Sequence, residues 1–153
     1  MRLSRRLLPV LVLVFAAPVL ASDAPPDEEA VRRVVVDAYV DGVHNFRDAA
    51  AIRKGFHPDF EMLVLKDGKL EKLPLEAWIE RLGTTPEKPA EARAKGTRPV
   101  TAEFTRLEVA GDAAFCRLEV SRDGKRVFTD FLALYRFADG WKIVGKSYYR
   151  WGE

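Results

Sequence analysis

Cysteine occurs once in this chain, at Cys116, and histidine twice, at His44 and His57. A lone cysteine forms no intramolecular disulfide, so the fold cannot rest on a covalent framework. Cys116 stands in an alternating apolar stretch and reads as a small buried hydrophobe rather than a reactive thiol. Two scattered histidines and one cysteine do not make a zinc ligand set. The sequence has no glycine-rich phosphate loop, no nucleophile elbow and no acidic calcium loop. Its aromatic residues are not interleaved with a basic stripe, as a surface for single-stranded nucleic acid requires. The N-terminal apolar run, Leu7 to Ala17 with Pro9 inside it, falls short of the about 20 residues of a membrane helix. No feature of the chain demands a metal or a cofactor.

What is present is enough apolar material for one core: 153 residues, of which 48% are hydrophobic and 31% charged. Arg2, Arg5 and Arg6, the apolar run and Val19-Leu20-Ala21 together have the layout of a secretory signal peptide over residues 1–21. Cleavage is expected after Ala21, the alternative being an uncleaved N-terminal anchor. No Cys succeeds Ala21 to take a lipid, and the residues after Ser4-Arg5-Arg6 fit general secretion better than the twin-arginine route. The expected location is periplasmic or secreted. Loss of those three arginines takes 25 basic residues to 22 against an unchanged 23 acids, so the net +2 of the whole chain becomes −1. A domain so near neutrality has no global attraction for nucleic acid or, after cleavage, for a membrane.

Residues 22–26 read as a disordered lead-in, and the domain is expected over 27–153. Asp27 can cap a helix, Glu28 and Glu29 suit the positive end of its dipole, and Val31, Val34, Val35, Ala38 and Tyr39 form one apolar stripe to about Val43. Asn45 is a candidate cap for a short second helix through Ala49 to Lys54, stopped by Gly55. Pro58 disfavours helix at His57. Strands are expected at Phe60 to Lys66 and Leu70 to Leu73, then a third helix opened by Pro74 and closed by Gly83. Thr84 to Arg98 lacks apolar periodicity and reads as a loop, a solvated connector or a lid. Val100 to Val109, Ala113 to Val120, Arg126 to Phe137 and Trp141 to Tyr149 are strands separated by Gly111-Asp112, Asp123-Gly124 and Asp139-Gly140, an antiparallel meander. The third of these is apolar on both faces: Phe128, Leu132 and Leu134 on one, Phe131, Ala133, Tyr135 and Phe137 on the other. One face would pack on the helices, and the other would be covered by a second copy in a homodimer.

The order of elements, with Ala38-Tyr39-Val40-Asp41-Gly42, Gly55-Phe56-His57-Pro58-Asp59, Phe128-Thr129-Asp130-Phe131-Leu132 and Gly140-Trp141-Lys142-Ile143-Val144-Gly145-Lys146, resembles the nuclear transport factor 2-like superfamily and, within it, the lumazine-binding-like group. The resemblance covers nearly all of the chain after residue 21. It implies a cone-shaped α+β domain in which a strongly curved antiparallel sheet wraps around three N-terminal helices and often leaves a pocket. Members of the superfamily include isomerases, dehydratases, epoxide hydrolases, cyclases, transport factors and binding domains, so function must be read from the site.

Asp130 sits in an apolar stretch and needs a partner, a raised pKa or access to water. Lys146 lies on the next strand. If facing residue numbers sum to 278, as a three-residue turn gives, Asp130 faces Tyr148 with Lys146 one diagonal step away; a two-residue turn gives 279 and sends Lys146 to the other face. The two charges then form a structural ion pair, a ligand anchor or an acid/base pair, unless they are at the surface. His57 is a structural histidine or, in the fold the resemblance implies, a proton carrier at a corner that reaches the pocket. His44 is expected at the surface, interacting with a helix C-terminus. Tyr39 points inward, either as a core aromatic or as an oxyanion donor. Trp78, Phe115, Tyr148 and Trp151 line a pocket or simply pack. No complete catalytic set emerges, and Tyr39, His57, Asp130, Lys146 and Tyr148 are the candidate ligand-binding residues. The leading expectation is a binding or accessory domain for an apolar or aromatic small molecule. A cofactor-free isomerase, dehydratase or cyclase using Asp130 or His57, and a protein-interaction module, are the alternatives.

Overall fold

Three acidic side chains, Asp27, Glu28 and Glu29, occupy the first turn of α1 (Pro26–Val34), and Arg32 and Arg33 its last turn, so both ends complement the helix dipole. Pro26 supplies the first residue, where a missing N–H costs nothing. The computed structural model describes residues 26–152; the expected signal peptide, the expected cleavage site and residues 22–25 lie outside the described residues. Beyond Val34 the helix does not stop at Val43 but widens into a π segment, Val35–Asn45, before Phe46 donates its N–H to the Asp41 carbonyl at 2.7 Å. This i→i+5 pattern changes which residues share a face.

The short helix α2 (Ala49–Gly55) is capped by Asp48, not by Asn45: the Asp48 carboxylate accepts from the N–H groups of Ala50 and Ala51 at 3.0 and 3.1 Å. Asn45 is spent on a tertiary bond. Its amide donates to the Val100 carbonyl and accepts from the Val100 N–H, both at 3.0 Å, pinning the π segment to the first strand of the C-terminal meander. Where α2 meets the π segment, a Cβ on Gly55 would lie 2.2 Å from the Cβ of Ala38, so only glycine allows this approach.

Strands β1 (Phe56–Lys66) and β2 (Lys69–Pro74) form a hairpin around Asp67-Gly68, followed by α3 (Leu75–Leu82), which buries Leu75, Trp78 and Ile79 and ends at Gly83 in the left-handed region, φ 59°. The expected loop 84–98 contains a fourth helix, α4 (Lys88–Ala94). None of its residues is buried, which is why no apolar periodicity announced it. It is fastened from outside instead: Arg93 pairs with Asp48 at 2.6 Å and lies over the Phe46 ring.

The meander comprises β3 (Val100–Ala110), β4 (Ala113–Arg122), β5 (Lys125–Phe137) and β6 (Gly140–Arg150), each joined to the next by two residues. The six strands make one curved sheet in the order β2-β1-β6-β5-β4-β3, with α1 and the π segment packed on it. The α+β architecture and the curved sheet are as expected, with one correction: the sheet is mixed. The pairs β1–β2, β3–β4, β4–β5 and β5–β6 are antiparallel, but β1 lies beside β6 in parallel, a pairing between distant segments that no turn signal encodes.

The register between β5 and β6 at Asp130 is the expected one in which facing numbers sum to 278, but it is reached by another route than a three-residue turn. The hairpin closes at Phe137 opposite Gly140, around Ala138 and Asp139, and a bulge near Val144 then shifts the pairing by one. Asp130 therefore faces Tyr148, and Leu132 faces Lys146. The bulge, not the turn, puts Asp130 and Lys146 on the inner face.

Candidate functional site

Asp130, wholly buried on β5, is held by two partners that no local spacing connects. The Tyr39 hydroxyl, from the π segment, donates to Oδ2, and the Lys146 ammonium, from β6, donates to Oδ1. Two donors, one of them charged, replace the water that a buried carboxylate loses. Burial, followed by the Asp130 charge, raises the Tyr39 pKa, so the phenol keeps its proton. Burial lowers the pKa of Lys146, and Asp130 pulls it back up. The ammonium lies 4.3 Å from the centre of the Tyr148 ring and 5.5 Å from that of Tyr39.

Beside this triad a cleft of about 250 Å³ opens. Tyr39, Lys146 and Tyr148 line it, together with apolar walls from Val43, Met62 and Trp78. Phe128 and Leu82 continue that apolar surface. Trp78 is fixed by stacking on Phe60, ring centres 5.7 Å apart, and Phe60 meets Phe56 edge-on at 4.9 Å. Such pairs contribute about 0.5–1.5 kcal/mol each beyond area burial and hold the wall rigid.

His44 is on this wall, not at the surface. The i→i+5 geometry brings it alongside Tyr39, ring centres 4.9 Å apart. Its Nε2 is shut from solvent and has no hydrogen-bond partner among the described residues. Burial, reinforced by the positive charge of Lys146, drops its pKa to about 3, so the imidazole is neutral at physiological pH. Arg47, Arg122 and Arg150 complete the lining.

Four of the five candidate residues, Tyr39, Asp130, Lys146 and Tyr148, thus converge, Asp130 from behind the cleft wall rather than on it. His57 does not join them. It stacks on Phe137, ring centres 4.6 Å apart, and its Nδ1 accepts from the Asp59 N–H at 3.1 Å. Of the four aromatics singled out, Trp78 and Tyr148 line the cleft. Phe115 stacks on Phe131 on the outer side of the sheet, and Trp151 sits under the Arg126 guanidinium at 3.8 Å. Cys116 is fully buried, and burial pushes its thiol pKa up to about 12. Sequence reasoning missed His44 because it assumed α-helical spacing. It missed Arg47, Arg122 and Arg150 because they come from a helix exit, a hairpin end and the final strand. Among the described residues, no three His, Cys, Asp or Glu side chains cluster as metal ligands, and no helix is long and apolar enough to cross a membrane.

Comparison with known proteins places this geometry. Residues 26–149 match the protein family described as "Putative lumazine-binding". An NTF2-like protein of unknown function from Shewanella baltica OS155 superposes with a TM-score of 0.63 at 22% identity, covering 82% of this chain and 94% of that one. One from Silicibacter pomeroyi DSS-3, also of unknown function, gives 0.62 at 24% identity, covering 80% and 93%. A cystatin-like fold protein from Burkholderia xenovorans LB400 gives 0.57 at 21% identity, covering 81% and 91%. At these identities the likeness is one of fold. No curated protein matches the sequence.

Proposed function

Since the chain belongs to the lumazine-binding-like family of the nuclear transport factor 2-like superfamily, we propose that it is a small-molecule-binding domain whose ligand sits in the cleft over the Tyr39–Asp130–Lys146 triad. The observation that carries this reading is the unfilled space itself, walled by aromatic and apolar side chains around a few fixed polar groups. Lys146 gives one hydrogen bond to Asp130 and, as a lining residue, has further N–H donors to offer a guest. The triad is an anchor rather than an acid/base device: both Asp130 oxygens accept strong hydrogen bonds, and the Tyr39 proton is committed to one of them. The isomerase, dehydratase or cyclase alternative needs His57 or Asp130 at the cleft surface, and neither lines it.

Thermal unfolding with a library of apolar and aromatic metabolites tests the proposal. A ligand at 100 times its Kd adds about 2.7 kcal/mol. Met62→Trp, which fills the cleft, is expected to abolish the stabilisation, and a folded sample that responds to nothing overturns the reading.

The outer face of the sheet carries the stacked Phe115 and Phe131 together with Tyr135, 53% exposed, which supports a homodimer through that face. Light scattering at micromolar concentration should give twice the monomer mass, and Phe115→Glu should halve it; a monomeric wild type refutes the dimer. Residues 1–21 support export, which N-terminal sequencing of the mature protein tests: a chain starting at Ser22 is expected, and an intact Met1 in the cytoplasm rejects it.

A further inference from the structure

The charges around the cleft are one-sided. Arg47, Arg122, Arg150 and Lys146 line it, and none of the described lining residues is acidic. The Lys146 charge is balanced from behind by Asp130. Among the described residues Arg47 and Arg122 have no carboxylate within ion-pair distance, whereas most other arginines do: Arg53 holds Glu76, Arg93 holds Asp48, Arg98 holds Asp41 and Arg136 holds Asp27 and Asp112. Uncompensated guanidinium groups at a concave, partly apolar surface are held against their mutual repulsion.

Arg47 shows that cost directly. It is half-buried, and burial together with the Arg122 charge lowers its pKa from the usual arginine value. Its backbone is in the left-handed region, φ 54°, which side chains with a Cβ rarely adopt because it is strained. A glycine or an asparagine would relieve the backbone, and a neutral side chain would relieve the repulsion. The sequence has neither at this position.

The rest of the lining defines the other half of a guest. Phe128 and Tyr148 meet edge to face, ring centres 5.8 Å apart, and with Trp78 they present aromatic surface next to the cations. The neutral His44 Nε2, buried and unpartnered, lies along the same wall.

We infer that the cleft takes a small organic anion: an apolar, aromatic body against Trp78, Phe128 and Tyr148, with a carboxylate or equivalent oxyanion held by Arg47 and Arg122. This deepens the small-molecule-binding proposal and rests on it. Guanidinium groups suit the purpose because their paired N–H donors match the two oxygens of a carboxylate. Lys146, neutralised by Asp130, contributes hydrogen bonds without adding to the net charge.

The test uses a matched pair of probes, 2-naphthoate and 2-naphthamide, which share one aromatic body and differ in charge. Calorimetric titration at low and at physiological salt is expected to show naphthoate binding at least tenfold more tightly, with the preference shrinking as salt rises. In Arg47→Gly and Arg122→Gln the preference should collapse to within about threefold while naphthamide affinity holds, which no loss of folding could mimic. Equal affinity for the two probes in the wild type overturns the anion inference and leaves the binding proposal standing. Binding of neither probe, at concentrations to the millimolar range, overturns the anion inference, and silence of the metabolite library in thermal unfolding as well overturns both.

Discussion

Ile52, Phe56, Phe60 and Ile143 form an interior fully closed to solvent, while a short distance away Tyr39, His44, Arg47, Lys146 and Tyr148 surround open space. Both regions are built by the same helices against the same sheet, and Trp78 belongs to both. The closed region is apolar and needs only shape to be stable. The open region gathers several arrangements that cost free energy: a buried ion pair, an imidazole without a partner among the described residues, a left-handed arginine and crowded cations. A domain selected for stability alone would fill the second region as it fills the first. Keeping such features together, beside a cleft, is what a binding site requires and a core does not.

The largest way to break the contrast is at the ion pair. Asp130→Asn leaves the Lys146 cation buried without a counter-charge and is expected to cost about 3–5 kcal/mol in denaturant unfolding. The triple change Asp130→Leu, Lys146→Met and Tyr39→Phe removes every member of the network at similar volume and should recover most of that loss. If the single variant is as stable as wild type, the triad does not anchor the site.

In the closed region, Gly55→Ala drives a methyl group into Ala38 and should destabilise by about 1–3 kcal/mol without altering the cleft's ligand preference. An effect on binding larger than the effect on unfolding would show that the two regions are not separable.

His44 gives a smaller effect with a definite sign. Its folded pKa, about 3, lies below the ordinary value of 6.5, so between those limits the unfolded chain binds a proton that the folded chain refuses. Stability should therefore fall as pH drops from 8 to 5, by at most about 2 kcal/mol, and His44→Gln should flatten the slope. Asp48, whose carboxyl its Arg93 partner holds below its usual value against the opposing effect of burial, loses its contribution only at lower pH, so the window is clean of it.

The smallest change is the most informative about cost. Arg47→Gly, which releases the left-handed strain but adds freedom to the unfolded chain, should leave stability within about 1 kcal/mol of wild type. A loss of several kcal/mol would mean that Arg47 is structural.

Much of this was legible in the order of residues, and the failures share a cause. Turn pairs, the glycine stops and strand alternation placed the strands of the sheet and three of the helices, because those signals are local. Asp130 drew attention because a carboxylate in an apolar strand needs explaining, and Tyr39 because it lay on an apolar stripe. The β1–β6 pairing joins distant segments, and neither the bulge at Val144 nor the π geometry of Val35–Asn45 carries a turn or spacing signal of its own. The bulge set the side of Lys146, and the π geometry brought His44 inward. The arginines could not be grouped from spacing at all, since positions 47, 122 and 150 meet only after the sheet has formed.

Strand β6, the last of the six to leave the ribosome, is the one on which the two halves of the sheet meet. Before residues 140–150 emerge, the β1–β2 hairpin has no neighbour and Asp130 lacks the cation it needs. The join between the two halves of the sheet and the counter-charge of Asp130 thus depend on one and the same strand.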